Sequence, residues 1–365
     1  MKAVIACGGT GGHLFPGIAV AEALRARGHE VILFVSEKEI DTLALSKRPD
    51  FQFEKLPTVG FPSLYSPAIF GFLRRFNDSL SLCRSIYKKF DPQVVIGMGG
   101  FTSTPPVMAA KMRGAATFIH ESNAIPGKAN RFTARMVRAV LLGFKECAEF
   151  FPKTRTEITG TPIRTELARV DRHVARQKLG LRDDLKTLLV MGGSQGAAGV
   201  NQAVIKSLPL LHGLPLQVIH LTGARGERLV ADNYQRENTP AYLAAFHHHM
   251  EEVYSAADFT IARAGAASLA ELAAFSLPSI LIPYPYAADD HQTRNAEIFT
   301  GAGAAILLKE SELTAGLLAR KITELAGNPQ LLRRMSESSA HLAHKDAAGR
   351  VVATIETYIN HDRSA

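Results

Sequence analysis

Twice in this chain a short apolar, β-branched-rich run breaks into a cluster of glycines and then resumes as a helical pattern. Ala3 to Ala6 leads into Gly8-Gly9-Thr10-Gly11-Gly12-His13 and the apolar-periodic Ile18 to Leu24; half a chain later, Leu188 to Met191 leads into Gly192-Gly193-Ser194-Gln195-Gly196. Glycines at such a turn let the backbone approach a ligand with no Cβ in the way, and the helix behind them points its N-terminus at an anionic or hydroxyl-rich group. The first loop departs from the dinucleotide fingerprint G-x-G-x-x-G, because Leu14 stands where the third glycine belongs. What the duplication fixes is architecture rather than ligand.

Around each loop the same alternation continues. In the first half, Val31 to Val35, Val94 to Met98, Ala116 to Ile119 and Ala139 to Leu142 read as strands, separated by helical stretches such as Ile18 to Arg27, capped by Gly28, and Leu80 to Phe90, stopped before Pro92. The second half repeats the pattern with Val218 to Leu221, Tyr242 to Phe246, Phe259 to Ala262, Ser279 to Ile282 and Ala304 to Leu308. Alternating strands and helices predict an α/β fold of doubly wound parallel sheets. With 365 residues the chain exceeds one ordinary core, so two Rossmann-like domains are expected. Turn residues at Gly160-Thr161-Pro162-Ile163 place the boundary, giving domains 1–162 and 163–340. The last helical stretch, Gly349 to Ile359 within 341–365, has no strand after it and can pack on either domain. Both Gly loops fall at carboxyl ends of strands, so the ligand site is expected in a cleft between the domains.

Charge separates the two halves. Residues 1–162 hold 21 Lys+Arg against 13 Asp+Glu, whereas 163–365 hold 21 of each, so the whole excess of +8 lies in the first half. That half is expected to meet an anionic surface. Its Phe-rich stretch 61–76 carries Arg74 and Arg75, with Arg84, Lys88 and Lys89 following; an apolar patch rimmed by basic residues suits shallow insertion into an anionic membrane. No nucleic-acid-binding motif accompanies the charge. No apolar run is long enough to span a bilayer, and no export signal is evident at the start. Cys7, Cys83 and Cys147 are odd in number and unpatterned, and read as structural.

Four further stretches carry chemistry. Arg263-Ala264-Gly265 follows a strand and opens a helix at Ala266-Ala267-Ser268-Leu269-Ala270-Glu271; the helix start suits a diphosphate and Glu271 could accept vicinal ribose hydroxyls. Gln292 and Asn295 lie three apart on one helical face, and each amide both donates and accepts, as sugar hydroxyls require. His120 and Glu121 are neighbours on a strand and point to opposite sides, which leaves Asn123 as the better sugar ligand. His13 ends the first loop; a lone histidine there reads either as a hydrogen-bonded structural group or, from its place at a strand end in the expected cleft, as the candidate general base. His247-His248-His249 alternate in direction and cannot easily share one ion, and Glu37, Glu39 and Asp41 read as a solvated loop, so no metal is expected.

These motifs, with Gly97-Met98-Gly99-Gly100 and Asp290-His291-Gln292 between them, together resemble the MurG family of peptidoglycan N-acetylglucosaminyltransferases, which convert lipid I to lipid II. The resemblance runs in order from Met1 to past Gly303. It implies a GT-B fold with UDP-GlcNAc held mostly by the C-terminal domain, a final helix that crosses back onto the N-terminal one, no cofactor, and a peripheral place on the cytoplasmic face of the bacterial plasma membrane. It further implies that Ser194 and Ala266 to Glu271 hold the diphosphate and ribose, Gln292 and Asn123 the GlcNAc, and Arg164 the phosphates, while Thr10, Gly11 and Gly12 line the acceptor side. His247 falls where main-chain contacts to uracil are made. Phe101 and Thr104 stand where members often carry Tyr and Gly, so any role of that tyrosine hydroxyl is lost or moved. The implied reaction is inverting transfer of GlcNAc to the MurNAc 4-hydroxyl of undecaprenyl-pyrophosphoryl-MurNAc-pentapeptide, with other cell-wall synthesis proteins as further partners. Rival readings are another glycolipid synthase of the same fold, a nicotinamide-dependent oxidoreductase, and a non-catalytic membrane-docking protein.

Overall fold

A computed structural model of the protein describes residues 1–38, 51–57, 60, 62, 66–193, 196–224 and 226–364, the side chains of 362–364 excepted. The chain divides into two compact units, Met1–Thr165 with His344–Ala365, and Glu166–Ala343.

The first unit is built on seven strands, β1 (Lys2–Ala6), β2 (Glu30–Ser36), β3 (Gln52–Leu56), β4 (Val94–Gly97), β5 (Ala116–Glu121), β6 (Ala139–Leu142) and β7 (Thr156–Ile158). All pair in parallel, in the order β3-β2-β1-β4-β5-β6-β7. Ala3 to Ala6, Val94 to Ile96 and Ala139 to Leu142 are apolar and buried because helices cover both faces of the sheet. On one face Ile5, Leu14, Ile18, Leu24 and Leu33 pack with Val351, Val352 and Ile355 of the final helix, Ala347–Ser364. On the other, Phe34 stacks on Tyr87 at 5.8 Å among Leu80, Cys83, Val107 and Cys147. The final helix is also pinned through Glu356, which accepts from Arg27 Nη1 at 2.7 Å and lies 2.8 Å from His29 Nε2.

Three local features differ from the sequence reading. The helix after the first Gly loop starts at Gly11, not near Ile18, so Gly11, Gly12 and His13 form its first turn. The close helix–strand approach that a third fingerprint glycine would give is supplied by Gly17, where a Cβ would fall 2.2 Å from Cys7 Cβ. Strand β3 escaped notice because it is an edge strand that does not alternate and buries only Leu56. Much of the Phe-rich stretch, Gly71 included, lies inside one continuous helix, Ala68–Phe90, that runs on through Leu80. That helix buries Phe72, Leu80, Cys83 and Tyr87 and leaves Phe70 and Leu73 76% and 54% exposed beside exposed Arg74 and Arg75. Phe61 and 63–65 lie outside the described residues, as do Glu39 and Asp41.

The second unit holds six parallel strands, β8 (Lys186–Met191), β9 (Leu216–Leu221), β10 (Ala241–Ala244), β11 (Phe259–Ala262), β12 (Ser279–Leu281) and β13 (Ala305–Leu307), in the order β10-β9-β8-β11-β12-β13. One core of Leu188, Val190, Val200, Val218, Phe259, Ile261 and Ile280 is closed by Leu318, Ile322 and Leu325. Strand β10 stops at Ala244, two residues before its expected end, and Phe246 is exposed. Among the described residues no helix is long and apolar enough to cross a membrane.

Candidate active site

Helix N-termini sort into two kinds. Helices Arg172–Lys178, Ala315–Ala326 and Pro329–His341 are capped by the side chains of Asp171, Thr314 and Asn328, which accept from Val174, Leu317 and Leu331 N–H. Helices Gly11–Ala26, Ala198–Ser207 and Ala266–Ala274 follow Gly turns and have no side-chain cap, a lack they share with Ala68–Phe90, Thr104–Met112, Glu227–Arg236, Met250–Ala256 and His291–Gly301; what sets them apart is their place. Those three starts all lie at carboxyl ends of central strands, where an α/β sheet receives ligands.

In the first unit, the loop after β4 positions His13. Gly99 and Gly100 adopt φ of +108° and +71°, and a Cβ on Gly99 would fall 2.7 Å from His13 Cε1, so the imidazole lies directly on glycine backbone. Ser103 Oγ accepts from Gly99 N–H at 3.1 Å and sits 3.0 Å from the Ala6 carbonyl, tying that loop to the end of β1. Thr10 is exposed, Gly11 half-buried and Gly12 exposed at the mouth of the turn. The Arg164 guanidinium lies over the Phe15 ring at 4.9 Å. Phe101, in place of the tyrosine, packs edge-on against Phe72 at 5.7 Å, and Thr104 pairs with Thr133 at 3.2 Å. Both departures from the family pattern are absorbed by packing.

His120 and Glu121 do diverge. His120, fully buried, meets the Gly160 carbonyl through Nε2 at 2.9 Å, and burial pushes its pKa down. The Glu121 carboxylate accepts from Asn123 N and Nδ2, Gly127 N and Asn130 Nδ2, at 2.9 to 3.1 Å. Four N–H donors fill its lone pairs, so Glu121 shapes the loop that carries half-buried Asn123.

In the second unit, Ser194 lies outside the described residues. Nothing stands within 4 Å of a Cβ built on Gly265, at the start of the helix Ala266–Ala274; Ala267, Ser268 and Ala270 are half-buried there, Ala266 and Leu269 buried. Glu271 is buried, not solvated, and accepts from Tyr254 Oη at 2.6 Å. Tyr254 was not legible in the sequence; its helix, Met250–Ala256, has ordinary periodicity. Gln292 and Asn295 share a helix face but not a task. Gln292 Oε1 accepts from Tyr284 N–H at 3.0 Å, which orients the half-buried amide, whereas fully buried Asn295 donates to the Ala264 carbonyl at 3.1 Å and ties its helix to the Gly265 turn. Arg263 Nη1 donates to the Ile282 and Pro283 carbonyls and pairs with Glu310. The three histidines have separate partners: His247 Nδ1 meets Tyr242 Oη at 2.9 Å, His248 packs on Phe246, and His249 reaches Glu251. Among the described residues no group of three His, Cys, Asp or Glu converges to hold a metal ion.

The comparisons agree with this layout. The Glycosyltransferase family 28 N-terminal domain matches residues 3–142, and the Glycosyltransferase family 28 C-terminal domain matches 187–351. With both family models matched, the two parallel-sheet domains are those of a glycosyltransferase of the GT-B fold. The crystal structure of Acinetobacter baumannii MurG superposes with a TM-score of 0.78 at 27% identity, over 98% of this chain and 99% of that one. The Halothermothrix orenii protein named UDP-N-acetylglucosamine–N-acetylmuramyl-(pentapeptide) pyrophosphoryl-undecaprenol N-acetylglucosamine transferase is 38% identical over 98% of both chains. A Geobacter protein of the same name is 38% identical over 98% of this chain and 96% of its own. The chain belongs to the MurG family of N-acetylglucosaminyltransferases. A Staphylococcus aureus MnaA structure with UDP, at 14% identity and a TM-score of 0.71, shares the fold alone.

Proposed function

We propose that the chain transfers GlcNAc from UDP-GlcNAc to the 4-hydroxyl of the MurNAc of undecaprenyl-pyrophosphoryl-MurNAc-pentapeptide, with inversion at the anomeric carbon. The observation that carries the reading is the near-full-length likeness to relatives that bear this activity in their names, joined to three helix starts that follow Gly turns at the carboxyl ends of β1, β8 and β11.

In this reading the second unit takes the donor. The start of the helix Ala266–Ala274 receives the diphosphate, Ser194 adds to it, and Glu271, already oriented by Tyr254, accepts the ribose hydroxyls. Gln292, its oxygen engaged by Tyr284 N–H, turns its NH2 toward the GlcNAc ring. The main chain at His247 meets the uracil. In the first unit, Thr10, Gly11 and Gly12 receive the acceptor, Asn123 adds a sugar contact, and Arg164 meets the phosphates. His13 accepts the proton of the attacking hydroxyl while its oxygen bonds to the anomeric carbon and the UDP oxygen leaves with the bonding pair. Labelled GlcNAc supplied as UDP-GlcNAc should appear on a lipid I analogue and not on competing diacylglycerol; transfer to diacylglycerol alone would overturn the acceptor.

The same reading places the protein peripherally on the cytoplasmic face of the plasma membrane. Phe70 and Leu73 are the exposed apolar residues of the helix Ala68–Phe90, and Arg74, Arg75, Arg84, Lys88 and Lys89 are exposed along it. Binding to anionic vesicles should weaken when Phe70 and Leu73 are both replaced by Ser, and should fall with added salt. Equal binding to neutral vesicles would sink the electrostatic part.

A further inference from the structure

Beneath the second Gly turn, four polar groups from three elements form a single line. His220 on β9, Asn201 on the helix Ala198–Ser207 and Tyr234 on the helix Glu227–Arg236 are all buried. Tyr234 Oη lies 3.1 Å from His220 Nδ1, and His220 Nε2 lies 3.1 Å from Asn201 Oδ1. Asn201 Nδ2 then donates to the Thr222 carbonyl at 2.9 Å.

Only one arrangement of protons satisfies this line. A carbonyl can only accept, so Asn201 turns its NH2 toward Thr222 and its oxygen toward His220. That oxygen needs a donor, so the imidazole carries its hydrogen on Nε2, and Nδ1 accepts from the Tyr234 hydroxyl. Burial keeps the ring neutral, holding its pKa down at about 3.

The line ends against the last glycine of the Gly turn. A Cβ on Gly196 would fall 2.6 Å from the Thr222 oxygen, and one on Gly226 would fall 2.6 Å from Asn201 Nδ2 and 3.0 Å from the same oxygen. The Thr222 carbonyl is therefore wedged between two glycines, with Asn201 as its hydrogen-bond donor. Gly196, at φ +73°, closes the Gly192–Gly196 turn and is adjusted by whatever moves that carbonyl.

We propose that Asn201, oriented by His220 and Tyr234, is a positioning residue for the nucleotide-sugar donor: it fixes the Thr222 carbonyl against Gly196 and so holds the residue from which the helix Ala198–Ser207 is entered. This rests on the reading that the turn serves the donor. A buried polar line adds little net stability over an apolar one of the same shape, whereas its directional bonds select one geometry. Its loss is expected to show in donor affinity before it shows in folding.

The test compares UDP affinity by calorimetry with steady-state constants for UDP-GlcNAc and a lipid I analogue. Asn201→Asp keeps the shape but turns a carboxylate oxygen on the Thr222 carbonyl; UDP affinity should fall about tenfold, as for one buried hydrogen bond lost, with the KM for the acceptor within about twofold. Should that variant fail to fold, the pair His220→Gln and His220→Leu decides. A glutamine amide can stand in for the Nε2–H group and should hold UDP affinity near the parent value, whereas leucine cannot and should lower it about fivefold or more. Equal shifts in the two, or a lower melting temperature with unchanged UDP affinity, would overturn the proposal. A parent protein that binds UDP but transfers nothing to lipid I would refute the acceptor reading while the UDP comparison still decides this one.

Discussion

The two Gly turns arise from the same local grammar and are surrounded by opposite chemistry. The first presents a titratable side chain, His13, laid directly on the backbone of Gly99 and Gly100. The second is backed by buried side chains that carry no charge: burial holds His220 neutral, and Asn201 and Tyr234 are its uncharged partners. A group that exchanges a proton needs room and access, whereas a cradle for a diphosphate needs fixed dipoles. In the proposed reaction that contrast assigns chemistry to the first turn and binding to the second, although the sequence writes both with the same residue.

Breaking the first side of that comparison should give the largest effect. His13→Ala is expected to lower kcat about a hundredfold or more with UDP affinity unchanged. Gly99→Ala, which drives a methyl into the imidazole at a backbone angle L-residues avoid, should move kcat in the same direction. Near-normal turnover in both would remove His13 from the reaction. On the second side, Glu271→Ala should raise the KM for UDP-GlcNAc about ten- to hundredfold, the range of a lost charged hydrogen bond, and Tyr254→Phe less. If acceptor affinity moved instead, the division of labour between the units would be reversed.

The smallest effect concerns acid stability. His220 takes up a proton near pH 6.5 when unfolded but only near 3 when folded, so between those values the unfolded chain binds the extra proton. Stability is thus present above about pH 6.5 and lost as pH falls toward 3. His220→Gln should flatten this acid limb in urea titrations by up to about 1.4 kcal/mol per pH unit. His120 in the first unit is pushed down by burial as well, so an acid limb that survives His220→Gln but disappears with His120→Gln would assign the sensitivity to the other unit.

How far the site could be read in advance differs from residue to residue. Glu271 was legible as a ligand because it follows Gly265 on the first turns of a helix, but its burial and its Tyr254 partner, 17 residues earlier, were not. Gln292 and Asn295 looked equivalent by helical spacing; the carbonyl of Ala264, 31 residues away, made Asn295 a structural tie. His220 looked like any polar residue in an apolar strand, since its partners, Asn201 and Tyr234, come from separate helices. Strand β3 carries little strand signal, because Gln52-Phe53-Glu54-Lys55-Leu56 lies at the sheet edge, buries only Leu56 and does not alternate.

By itself the sequence determined what is local: two parallel sheets, from the period of the apolar residues, and tight turns at strand ends, where Gly9, Gly193 and Gly196 take positive φ. It also determined that the positive charge belongs to the first half. Tertiary structure decided which polar groups meet, because a hydrogen bond between residues distant in sequence leaves no periodic trace. It likewise decided that the last helix returns to the first sheet, where Val351, Val352 and Ile355 find an apolar face and Glu356 finds Arg27 and His29. An amphipathic helix specifies that it must be buried on one side, but only the assembled core specifies against what.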